Sequence, residues 1–209
     1  MVSLETVLNN LGTGVLGSYN CSINGTIKKD SINNIIVLIN SGVNWLYSEF
    51  LLNKRKTTIN LVEDVLEYSL NSTGNLIEVL NVFYEGSSLE FVALDNETIQ
   101  VPANLVGSIE VEATYKPVDL ELYSPNELDA LDPNSVDIDL PVMYLKALYY
   151  YIAQQWTISF DTGAGVKSPF HVGNNFEQLL DKEVSRLKLK GYEADVSLDH
   201  NKFINNGFI

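Results

Sequence analysis

The sequence predicts an α+β chain: three to four helices forming a bundle, with a small antiparallel β-lobe inserted among them and an extended C-terminal tail. Three observations carry this. Apolar residues recur at steps of three and four before about residue 52. The period falls to two between residues 57 and 116, and helical spacing returns from residue 140.

Residues 3–10 read as a short helix, followed by a loop rich in Gly, Asn and Ser. Asp30 or Ser31 then caps a helix over 31–52 whose apolar positions are Ile32, Ile35, Ile36, Ile39, Val43, Leu46 and Phe50. Asn33, Asn34, Asn40, Asn44 and Ser48 fall on the opposite face. Gly42 costs this helix about 1 kcal/mol against Ala, a cost that close packing of a second helix would offset. Lys54, Arg55 and Lys56 suit its negative C-terminal end.

The β-lobe, 57–116, opens with "TTIN" and "VLEYSL". "LIEVLNVFYEGSSLEFVAL" reads as two strands turning at Glu85-Gly86, and "TIQVP" and "SIEVEATYKP" follow, each stopped by a proline. In all, about five strands are expected in one sheet. Ile109, Val111 and Ala113 alternate with Glu110, Glu112 and Thr114, which gives one buried face and one wet face. Residues 117–139 are acidic and poorly patterned, and read as a solvated loop. Asp137, Asp139 and Pro141 suit the start of the next helix, 140–160.

That helix, "LPVMYLKALYYYIAQQWTISF", is apolar on nearly every side. Lys146, Gln154, Gln155 and three central tyrosines argue against a membrane span. It reads instead as a helix packed among several neighbours. The last helix covers 174–190, opened by an Asn174/Glu177 capping box and closed by Lys188, Lys190 and Gly191. Phe176, Leu180, Val184 and Leu187 share its apolar face. His171, between Pro169 and Gly173, then reads as part of a joint between two helices. Residues 191–209 form the tail.

The formal net charge of −14 opposes tight binding of duplex DNA or of an anionic membrane. Cys21 is the only cysteine, which excludes an internal disulfide and fits a reducing compartment. No signal peptide is expected from Met1–Lys28. Three motifs suggest chemistry. Gly12-Thr-Gly-Val-Leu-Gly17 spells a dinucleotide fingerprint, but a helix precedes it and no helix follows. Asp161-Thr162-Gly163 has the form of a retroviral-type aspartic peptidase motif, with "WTISF" as its leading strand, yet no apolar-apolar-Gly segment follows in the right place. Cys21, His171 and His200 are too scattered for zinc, and Ser168 with His171 lacks an orienting third group. No enzyme activity, cofactor or metal is expected.

Four stretches resemble the head-to-tail adaptor (connector) proteins of short-tailed bacteriophages, including the crAss-like group. "LINSGVNWLYSEFLLNKRKTTI" is similar to their first long helix entering a strand, and "NLIEVLNVFYEGSSLEF" to their sheet hairpin. "DIDLPVMYLKALYYYIAQQW" and "GNNFEQLLDKEVSRLKLKGY" are similar to their central and last helices; beyond these four, "NKFINNGFI" is similar to their tail end. The likeness spans about Ile32 to Ile209. It implies a structural virion protein, assembled in the host cytoplasm into a ring of twelve copies beneath the portal. The ring would extend the DNA channel, let duplex DNA pass without holding it, and attach the tail or further neck proteins. Portal binding would fall on Phe203, Ile204, Phe208 and Ile209, and packing between subunits on Tyr144, Leu148, Tyr151 and Trp156. A stopper, or tail-completion ring, is the alternative within the same resemblance.

Overall fold

The computed structural model describes residues 1–70, 75–95, 97–159 and 175–190. It is α+β, with small antiparallel sheets between helical segments. Two compact units emerge: Met1–Gly42 with Leu120–Ile209, and Val43–Asp119.

In the first unit, β1 (Val2–Ser3) leads into α1 (Leu4–Thr13), which Ser3 caps by accepting from the Thr6 N–H. Its Leu4, Val7 and Leu11 are fully buried at helical spacing. A hairpin follows, β2 (Ser22–Ile23) against β3 (Thr26–Ile27). Asn24 and Gly25 turn it with φ of 51° and 81°, the left-handed pair that a two-residue hairpin needs. Helix α2 (Ile32–Phe50) is entered through a 3-10 turn at Lys29–Ser31.

The acidic stretch is more ordered than its composition suggests. Ser124 and Glu127 form a capping box that starts α3 (Pro125–Ala130), and β11 (Asp137–Ile138) pairs with β1. Asp137 therefore lies opposite Ser3 in a ladder and not at a helix N-terminus. A 3-10 turn at Val142–Tyr144 precedes α4 (Leu145–Ser159). A fifth helix, α5, covers 175–190.

The second unit begins within α2 and continues into β4 (Lys54–Asn60). Lys54, Arg55 and Lys56 lie in this strand rather than at the helix end, because α2 stops at Phe50 and Leu51 turns with φ of 50°. The strands make two sheets, not one. Strand β4, β10 (Ser108–Tyr115), β6 (Leu76–Tyr84) and β7 (Ser87–Leu89) form the larger, in the order β4-β10-β6-β7. The smaller has β5 (Glu67–Ser69), β9 (Thr98–Gln100) and β8 (Val92–Ala93), in the order β5-β9-β8. The β6–β7 hairpin turns at Glu85 and Gly86, with φ of 49° and 79°. Val82, Ile99, Ile109 and Val111 are the centre of the core here, joined by Tyr68, Leu70 and Val101.

Candidate functional site

Helix α4 meets three other helices of its unit. The Asn10 side chain on α1 donates to the Tyr149 hydroxyl at 3.0 Å. On α2, a Cβ added at Gly42 would lie 2.6 Å from Leu148 Cδ1 and 2.8 Å from Tyr151 Cδ1, so the missing side chain is what lets α4 approach. On α5, Glu183 reaches the Lys146 ammonium at 3.6 Å and accepts two hydrogen bonds from the Arg186 guanidinium. Such mixed contacts explain why α4 has no single polar face.

Glu183 is the chemically unusual group of this region. Its side chain is only 4% exposed, while its two cations remain largely in water. The Arg186 hydrogen bonds outweigh its burial and hold the carboxyl below its ordinary range, with smaller help from the charges of Arg186 and Lys146. Burial raises the phenol pKa values of Tyr144, Tyr149 and Tyr151. Tyr144 ends the turn before α4, and Tyr149 and Tyr151 lie within α4.

Of the four residues expected to pack between subunits, Leu148 is fully buried and Trp156 is 6% exposed. Both side chains are covered within this chain, so in this conformation they offer a second copy almost no surface. Tyr144 and Tyr151 are partly exposed and keep an accessible edge. Phe203, Ile204, Phe208 and Ile209, expected to bind the portal, lie outside the described residues, as do Asp161-Thr162-Gly163, Ser168, His171 and His200. Trp156–Ser159, read as a leading strand for the peptidase motif, belongs to α4.

The glycine fingerprint has a packing explanation. A Cβ on Gly12 would sit 2.4 Å from the Gly25 carbonyl oxygen, so the glycine lets the β2–β3 hairpin lie against α1. Cys21 is buried. Among the described residues, no group of three or more His, Cys, Asp or Glu is placed to hold a metal ion, and no helix is long and apolar enough to cross a membrane.

The sequence puts Asn33, Asn34, Asn40, Asn44 and Ser48 on the face opposite the apolar one and by itself assigns them no partner. In the structure, Asn40 donates to the Leu120 C=O and accepts from the Leu120 N–H, both at 2.9 Å. Asn33 does the same with Tyr123, at 2.7 and 3.1 Å. Seven helical residues rise about 10.5 Å and three extended residues about 10 Å, so the two strips keep step. The signal available in sequence was the repeat of Asn at positions 33 and 40 on one face.

Two concavities are lined by described residues. A cleft of about 640 Å³ in the β unit is lined mainly by Leu66, Leu89, Phe91, Val92, Val101 and Pro102. A groove of about 480 Å³ lies between the start of α2 and α3, with Lys29 and Asp129 paired across it. Neither gathers a nucleophile, a base and an orienting group. Comparison with models of known protein families finds no match, and comparison with curated proteins finds none either.

Proposed function

We propose that the chain is a structural virion protein, a head-to-tail adaptor whose copies form a ring, of twelve subunits by the resemblance, beneath the portal. The observation that carries the reading is the order of elements. A long helix enters a strand at α2–β4, a hairpin follows at β6–β7, and a central and a last helix follow at α4 and α5. These fall on the four stretches that resemble adaptor proteins. In this reading α1, α2, α4 and α5 are the bundle that forms the body of each subunit. The formal charge of −14 suits a channel wall along which phosphates slide without resting. Tyr144 and Tyr151 offer the accessible aromatic surface for a neighbouring subunit. Phe203, Ile204, Phe208 and Ile209 are the portal anchors.

The reading is tested by attachment. A chain ending at Tyr192 should keep its helix content and thermal stability and should no longer sediment with the portal. Unfolding of the shortened chain would make the tail part of the core. Undiminished attachment would remove the anchors from the account.

A further inference from the structure

Among the described residues, strand β4 is an open edge: it pairs with β10 on one side and with no strand on the other. The Leu61 N–H donates to the Gly107 C=O, and the Tyr115 N–H to the Asn53 C=O. With the observed register, the odd-numbered residues of β4 therefore bond to β10, and the backbone groups of Lys54, Lys56, Thr58 and Asn60 point away from the sheet. All four of these residues are exposed. Three adjacent cations at an open edge are unusual in a chain with 13 basic and 27 acidic residues. Lysines on an edge commonly repel other edges, yet the sequence of this chain itself holds a complementary, alternating stretch.

That stretch is Glu193-Ala-Asp-Val-Ser-Leu-Asp199, outside the described residues. Its period is two: Glu193, Asp195, Ser197 and Asp199 alternate with Ala194, Val196 and Leu198. Laid parallel to β4, it sets Glu193 beside Lys54 and Asp195 beside Lys56. Ser197 then lies beside Thr58, and Asp199 beside Asn60. On the other face Leu198 comes beside Ile59, which packs against the core of the β unit. Lys54 makes no ion pair with the described residues, and Lys56 only an exposed one with Glu110 at 3.5 Å.

We propose that the open edge of β4 takes residues 193–199 of a second copy as an added strand, interlocking adjacent subunits. The inference rests on the ring reading, which sets copies side by side. Residues 200–209, with the four portal anchors, remain beyond the added strand and span at most about 33–36 Å when extended. One tail would thus clasp a neighbour first and reach the portal second. Backbone hydrogen bonds supply the attraction, and the alternating side chains fix the register.

The test mixes two full-length copies, one Thr58→Cys and one Ser197→Cys, under mild oxidation with and without the portal. The buried Cys21 is left in place, and mass measurements follow association in the same samples. The mixture should yield a covalent pair that neither copy yields alone. Lys54→Glu with Lys56→Glu in the first copy should cut that yield about tenfold, and Glu193→Lys with Asp195→Lys in the second should restore it. Copies that associate without the covalent pair would overturn the strand and leave the ring reading standing. No association in either sample would overturn both. In a doubly substituted chain, a cross-link formed only within single copies would overturn the exchange between subunits.

Discussion

Asn40 holds both backbone groups of Leu120, donating to its carbonyl and accepting from its N–H at 2.9 Å each. One amide side chain thereby does what a neighbouring strand would do, and ties an extended segment to the side of a helix. Replacing Asn40 by Ala leaves two backbone groups without their partners. The cost should be about 1–3 kcal/mol in urea unfolding. Asn34→Ala, at an exposed position of the same helix, should change stability by less than about 0.5 kcal/mol. Equal losses at both positions would remove the ladder from the account.

Gly42 is a contact defined by what is missing. At an open helical position Gly→Ala stabilises by about 1 kcal/mol. Here a larger side chain would meet Leu148 and Tyr151, so Gly42→Leu should destabilise by roughly 1–3 kcal/mol. Leu148→Ala placed in the Gly42→Leu background should cost less than in the parent chain, because the two changes share one space.

Gly12 makes the same argument with a harder neighbour. The atom its Cβ would meet is a backbone oxygen, which cannot swing aside. Gly12→Ala should therefore lower the thermal midpoint, with a cost of roughly 1–3 kcal/mol. Unchanged stability would mean that the hairpin is free to shift away from α1.

Glu183 gives a sign for pH. Its carboxyl is held below the ordinary value of 4.5 in the folded chain. Its contribution is therefore complete above about pH 4.5 and fades as the pH falls through the lower, folded value. Glu183→Gln should cost about 1 kcal/mol at neutral pH, a modest figure because Lys146 and Arg186 are largely exposed. The difference between parent and variant should shrink in acid. A difference that grew on acidification would reverse the assigned direction.

Where a single face met a single environment, the sequence was readable. Ile109, Val111 and Ala113 alternate in sequence and are buried in β10. Glu85-Gly86 was legible as a turn because Gly takes readily the left-handed φ that a type I′ hairpin needs. Readability failed where polar residues serve the backbone. Asn33 and Asn40 look like a wet face, and an amide bonded to a peptide cannot be told from one bonded to water by periodicity. The ordered parts of residues 117–139 were missed for the same reason. Their order comes from α2's asparagines, the Ser124–Glu127 box and pairing with β1, not from an apolar pattern of their own. The interaction residues were harder still. Leu148 and Trp156 are apolar on a many-faced helix, and sequence cannot say whether a neighbour within or beyond the chain covers them.

In the proposed function, copies of this chain close into a ring on the portal. Electron microscopy of the purified chain mixed with its portal tests this most directly. Rotationally averaged images should show an annulus of repeated copies, twelve by the resemblance, coaxial with the portal and open along the axis. Portals that remain bare while the chain stays monomeric at micromolar concentration would contradict it.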